Sequence, residues 1–162
     1  LLRLFLYRLG IGFLLPMLAL LACSNAGPVR RIFAPTASIQ QLTVSHDGHW
    51  QVQLRLRNYS TVAMQFERLA LVLGLDQQAS IRLEATPQLL VSADSAEIFI
   101  VDLHPESADR LLLADILASK RALPYTLQGH ITATPKGGKP NRFELENRSH
   151  LNSVPGLPGV LR

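Results

Sequence analysis

Residues 50–58 read Trp50-Gln51-Val52-Gln53-Leu54-Arg55-Leu56-Arg57-Asn58, an unbroken alternation of apolar and polar side chains up to the closing asparagine. Successive side chains of a strand point to opposite faces, so Trp50, Val52, Leu54 and Leu56 share one face and Gln51, Gln53, Arg55 and Arg57 share the other. One face suits a core and the other suits water, which is the pattern of an antiparallel sheet buried on a single side. The preceding His46-Asp47-Gly48-His49 reads as a hairpin turn, because Asp-Gly supplies the positive backbone dihedrals that tight turns need. Ile39, Leu42 and Val44 therefore begin a first strand, with imperfect alternation.

The same period continues outward. After Asn58-Tyr59-Ser60-Thr61, a third strand is predicted from about Met64 to Leu75, with Leu69, Leu71, Leu73 and Leu75 on one face. Residues 81–83, 88–91 and 97–103 form shorter apolar runs separated by Thr86-Pro87 and Ala93-Asp94-Ser95. Residues 105–121 break the pattern: Pro105, Glu106 and Asp109 suit a helix start, Lys120 and Arg121 suit its end, and Leu112, Leu113, Ile116 and Leu117 make a buried stripe. Pro124 stops that helix, and residues 125–134 and 142–148 alternate again around Lys136-Gly137-Gly138-Lys139 as a closing hairpin. The sum is a mainly β fold, an immunoglobulin-like or fibronectin III-like antiparallel β-sandwich of about seven strands with one α-helix before the last two. A small barrel is the alternative.

Composition agrees with one folded domain. The chain has 162 residues, 48% of them hydrophobic and 17% charged, enough apolar material to offset the chain entropy lost on folding. Mean hydropathy is +0.17, raised by an apolar N-terminus. Two of the basic residues behind the net charge of +4, Arg3 and Arg8, lie in that N-terminus, which leaves the remainder near +2. The remaining basic residues are scattered apart from Arg30-Arg31 and the region of Lys136 to Lys139, so no nucleic-acid partner is expected.

A single cysteine, Cys23, excludes an intramolecular disulfide. Arg3 and Arg8 form a positive n-region, and residues 9–21 form an apolar h-region too short to span a bilayer comfortably, with Pro16 inside it. Leu20-Leu21-Ala22-Cys23 then resembles the bacterial lipobox, in which cleavage before the cysteine (here between Ala22 and Cys23) leaves it acylated at the mature N-terminus. The chain starts at Leu1, as expected of an alternative start codon or an absent first methionine. Ser24, where aspartate commonly retains lipoproteins at the inner membrane, resembles the outer-membrane pattern and implies the periplasmic face of a Gram-negative outer membrane. Two or three acyl chains anchor stably, at about 0.8 kcal/mol per buried CH₂.

The domain organisation read from these features is a signal peptide over 1–22, a lipidated Cys23 and flexible tether over 23–37, a β-sandwich over 38–150, and a Pro/Gly-rich tail over 151–162. The tether, broken by Gly27, Pro28 and Pro35, has a reach of roughly 20 Å if flexible.

From Ile39 to Gly156 the chain resembles the late embryogenesis abundant (LEA) type 2 family, which carries the water-stress and hypersensitive-response (WHy) domain. The resemblance lies in the strand ending at Asn58, the leucine-rich strand after it, the helix before Leu123-Pro124-Tyr125-Thr126-Leu127-Gln128-Gly129, and Val154-Pro155-Gly156. Asn58-Tyr59-Ser60 stands where the family commonly has Asn-Pro-Asn, and Asp76-Gln77-Gln78 replaces a frequent glycine. The resemblance implies a folded domain linked to desiccation and stress tolerance, without catalytic activity or cofactor.

Three residues are read as structural: Asn58 as a turn asparagine bonding its own backbone, Tyr125 as a buried ring with its hydroxyl tied to backbone, and Gly129 as a bulge or close approach. His46, His49 and Asp47 offer metal-ligand types at the spacing of a turn, without a third nearby histidine, so no metal is expected. Asp102 and His104 share a strand face, yet no Gly-x-Ser-x-Gly nucleophile accompanies them, so neither a catalytic residue nor a small-molecule substrate is expected. The functional expectation is a stress-protective lipoprotein with client or envelope proteins as partners and the covalent lipid on Cys23 as its only prosthetic group. The alternative is a structural or assembly lipoprotein that docks to one envelope complex.

Overall fold

The structure is a computed structural model that describes residue 27 and residues 29–162. Residues 1–22, read from the sequence as a signal peptide with cleavage after Ala22, and Cys23 lie outside the described residues. The described chain forms β1 (Thr36–Val44), β2 (Trp50–Asn58), β3 (Met64–Leu75), β4 (Ala79–Ala85), β5 (Leu89–Val91), β6 (Ser95–Leu103), α1 (Ser107–Ser119), β7 (Leu123–Pro135), β8 (Asn141–Leu151) and β9 (Val160–Leu161). Two antiparallel sheets result, one ordered β6-β2-β1-β9 and the other β4-β3-β7-β8, with β5 also paired to β3. Strands one, two and six against three, seven and eight reproduce the partition of an immunoglobulin-like sandwich.

The alternation of β2 is met in full: Trp50, Val52, Leu54, Leu56 are buried, facing Leu69, Leu71, Leu73 and Leu75 of β3 and Leu127 and Ile131 of β7 in one core. Each such aliphatic side chain contributes about 1.5–3 kcal/mol by leaving water. The irregular period of β1 has a local cause. Its register against β2 slips between Ile39 and Gln41, so Gln40 is an extra residue in a bulge and both Ile39 and Leu42 point inward despite their spacing. A second slip between Phe66 and Arg68 resets the phase of β3, which lets Met64, Phe66 and Leu69 all reach the core.

Helix α1 closes one end of the sandwich with Leu113 and Ile116 buried and Leu112 and Leu117 packed at the edge. Asp109 accepts a hydrogen bond from the Glu106 backbone N–H at the helix start, 3.2 Å. Lys120 takes a left-handed conformation at the C-cap, so Arg121 lies beyond the helix rather than in its last turn. Its guanidinium donates to Asp76 at 2.8 Å, and this hydrogen bond is the main cause that raises its pKa further above an already high value.

Both ends of the described region are more ordered than their composition suggests. Residues 152–162 fold back on themselves through Val154 N–H to Val160 O, 3.0 Å, and through paired backbone bonds between Asn152 and Arg162. Strand β9 then pairs with Leu42 and Thr43 of β1, and Leu161 is fully buried. The Pro/Gly-rich tail is therefore part of the sandwich, because an edge of the first sheet and a core leucine hold it. At the other end of the chain β1 starts at Thr36, inside the stretch expected to be a tether.

Candidate functional site

The strand directions place the described N-terminal entry, residues 29–35, at the end of the sandwich that also carries loops 59–63, 92–94 and 136–140. Asn58 organises this end. It is fully buried, and its amide nitrogen donates to the carbonyls of Val62 (2.8 Å), Ser92 (3.0 Å) and Val91 (3.3 Å). Its side-chain oxygen accepts from the Ser60 N–H at 2.9 Å. The side chain thus bonds its own turn and also ties that turn to the end of β5, a partner thirty-odd residues away in sequence.

The turn held in this way receives the chain coming from the N-terminus. Thr61 Oγ1 donates to the Val29 carbonyl and accepts from the Arg31 N–H, both at 2.9 Å, while the Thr61 N–H donates to the Arg31 carbonyl at 3.1 Å. Ser60, buried like Asn58, accepts from the Phe33 N–H at 3.0 Å and donates to the Phe33 carbonyl at 3.3 Å. Arg30 donates to the Gly137 carbonyl at 3.0 Å. Sequence reasoning placed Ser60, Thr61 and Gly137 in turns, but no local pattern marks the bonds they make, because their partners lie far away in the chain. Only five residues, 24–28, separate Cys23 from the first of these contacts. Even fully extended, that stretch spans about 20 Å.

No family model matches the chain, and no curated protein matches it. Similar solved structures include a proposed late embryogenesis abundant protein, 9% identical over 74% of this chain and 71% of that one, with a TM-score of 0.49. Another is a proposed ApaA protein from Bordetella pertussis, 10% identical over 80% of this chain and 99% of that one, TM-score 0.46. A third is a protein from Archaeoglobus fulgidus, 11% identical over 76% of this chain and 98% of that one, TM-score 0.44. The assignment of a β-sandwich rests on the strand order and register described above.

Tyr125 is buried, and its hydroxyl accepts the Ile39 N–H at 3.1 Å, which satisfies a backbone donor beside the β1 bulge and links the two sheets. Gly129 has φ +142° in mid-strand, and a Cβ there would collide with the Ala70 carbonyl oxygen of β3. The glycine is a close-approach position, and the register slip between β3 and β7 lies elsewhere, at Glu67.

His46 and His49 sit on the turn closed by Ser45 N–H to His49 O at 2.9 Å, at the opposite end from Asn58. The His49 ring meets the His104 ring edge-on with centroids 4.3 Å apart, and Asp47 accepts the His49 N–H at 3.1 Å. Among the described residues, no group of three or more His, Cys, Asp and Glu side chains is arranged to hold a metal ion. Asp102 accepts a 3.4 Å hydrogen bond from Gln51 on the outer sheet face, while His104 faces His49. The polar face formed by Gln51, Gln53, Arg55 and Arg57 is flanked on β6 by the exposed Ile98 and Ile100.

A cleft of about 800 Å³ opens between the end of α1 and the 152–160 segment, with Leu117, Val154, Pro155 and Leu157 on its walls. Lys120 is the one titratable residue among its described lining, so the cleft has no acid–base pair to offer. No helix of the described residues is long and apolar enough to cross a membrane.

Proposed function

We propose that the protein is an envelope lipoprotein in which acylated Cys23 holds a non-catalytic, LEA type 2-like β-sandwich at the periplasmic face of the outer membrane. There it protects envelope proteins or the membrane itself during drying and related stress. The observation that carries the anchor is Leu20-Leu21-Ala22-Cys23 at the end of an apolar stretch preceded by Arg3 and Arg8. The protective role is supported by the family resemblance and by the folded antiparallel β-sandwich that carries it.

Fractionation of cells carrying wild type or Cys23→Ser, with mass analysis of the mature N-terminus, tests the anchor. The wild type is expected in membranes with a diacylated or triacylated Cys23, and an unmodified wild-type N-terminus refutes the anchor. Protection is tested separately: the purified protein should preserve a test enzyme through drying better than an equal mass of albumin. A second reading, an assembly lipoprotein docked to one envelope complex, is favoured by β6, a nine-residue strand that among the described residues pairs only with β2 and exposes Ile98 and Ile100. Crosslinking in cells separates the two, since assembly requires one dominant stoichiometric partner.

A further inference from the structure

We propose that the loop end built around Asn58 is a docking face for an anionic phospholipid surface, so that the sandwich rests on the membrane by one defined end instead of swinging on a tether. The inference rests on the anchored reading above and adds the orientation of the domain and the lipid charge that sets it.

The first argument is reach. Hydrogen bonds donated by Arg30, Arg31 and Phe33 to Gly137, Thr61 and Ser60 hold residues 29–33 against the sandwich, so only residues 24–28 are left between the acylated position and the domain. This end is kept within about 20 Å of the bilayer. The far end, with α1 and the His46 turn, lies a strand length further away, roughly 30 Å.

Charge supplies the second. Arg30, Arg31, Lys136 and Lys139 all belong to this end, and Asp94 is the one acidic residue in its loops. Asp94 already faces Arg57 at 3.7 Å. Arg30 spends a donor on the Gly137 carbonyl, which is neutral, so its charge is not cancelled and its remaining donors are available to phosphate oxygens. Among the described ion pairs none uses Arg30, Arg31, Lys136 or Lys139. At the far end the signs are mixed, with Asp47, Asp76 and Asp115 beside Arg110, Lys120 and Arg121.

Exposed apolar surface on the same end is the third. Val29 (64%), Phe33 (50%) and Tyr59 (44%) stand out of the domain, and the Tyr59 ring lies 4.6 Å from the Arg57 guanidinium carbon. Aromatic rings interleaved with basic groups suit the headgroup–acyl boundary. A second copy of this end would bring like charges together, so the lipid surface is the better complement.

The test uses the mature lipidated protein in nanodiscs of phosphatidylethanolamine with phosphatidylglycerol, against nanodiscs of phosphatidylethanolamine with phosphatidylcholine. Hydroxyl-radical footprinting reads side-chain exposure at Phe33 and Tyr59, with Leu111 and Leu157 at the far end as internal controls. Since one basic group near an anionic surface favours association roughly fivefold, oxidation of Phe33 and Tyr59 should slow at least about fivefold in the anionic discs. Leu111 and Leu157 should be unchanged, and added salt should restore the fast rate because the surface charge is screened beyond about one Debye length. The variant combining R30E, R31E, K136E and K139E should lose the slowing. Salt reversal in the wild type decides the matter even if that variant folds poorly. An acylated protein whose Phe33 and Tyr59 react equally in both discs refutes docking and leaves the anchor standing. Slowing that rises with protein concentration, independent of lipid, assigns the face to a second copy and refutes it too. An unacylated N-terminus removes the anchor and the docking together.

Discussion

Asn58→Ala removes the side chain on which the loop end depends, and its cost can be worked from the contacts. Four backbone groups lose a partner. The bonds to Val62 O and Ser92 O are partly buried, so water can replace them at little cost. The Ser60 N–H and Val91 O bonds are fully buried, and each group left unpaired costs about 1–3 kcal/mol. Taking about 1.5 kcal/mol for each buried group gives a loss of about 3 kcal/mol, a large fraction of the stability of any domain. With a urea slope of about 1.5 kcal/mol per molar, the unfolding midpoint should fall by about 2 M. Trp50 is the only tryptophan and is 1% exposed, so its emission reports the transition without labelling. Asn58→Asp separates the two halves of the interaction: it keeps an acceptor for Ser60 but turns a carboxylate toward three carbonyl oxygens. Ionisation of that carboxyl is disfavoured in the folded state, so its folded pKa lies above the unfolded one. Stability is then greatest at acid pH and falls as pH rises through the carboxyl range. An alanine shift smaller than about 0.5 M, or an aspartate variant as stable as wild type at neutral pH, would refute the role of Asn58 as the organiser of this end.

Two further substitutions probe features that join distant segments. Gly129→Ala must force β3 and β7 apart at a position with φ +142°, so a loss of about 3 kcal/mol is expected, seen as a fall of roughly 10 °C in a circular-dichroism melt. An unchanged melting temperature would show that the two backbones are not in close approach. Leu161→Ala should cost about 2–3 kcal/mol by urea titration, comparable with truncation of a leucine in mid-strand, because Leu161 is fully buried. A cost under about 0.5 kcal/mol would return residues 152–162 to the status of a loose tail.

The elements legible beforehand were those whose signal is local. The alternation of residues 50–57, the leucine run of β3 and the hairpin of β7 and β8 repeat every two residues and fall where the period puts them, while the helix expected from Pro105 begins at Ser107, with Glu106 as its N-cap. Tyr125 and Gly129 also had local signals, a ring at a strand start and a glycine in mid-strand, though neither signal named its partner. Ile39 and Ala70 supply those partners, 86 and about 60 residues away. Where a bulge interrupts the period, as at Gln40 and Glu67, the pattern reads as imperfect, since one extra residue shifts every later side chain to the other face.

The N-terminal and C-terminal segments show the limit most clearly. Gly27, Pro28 and Pro35 argue against a helix or a regular strand, and residues 29–35 have neither, but that reading says nothing of Ser60, Thr61 and Gly137 accepting and donating bonds 27 to 107 residues away. Likewise Pro155, Gly156, Pro158 and Gly159 describe turns, and those turns return Leu161 to the core against β1. By itself the amino-acid order determined the single cysteine behind an apolar stretch, the strand faces and the helix, because hydropathy and period are properties of neighbouring residues. Only tertiary structure decided that the entry segment is bonded down, that the last strand closes the sheet, and that four basic residues from separate loops meet at one end. Those features depend on which distant backbone groups are left unpaired once the sheets have formed, and no window of the sequence contains that information.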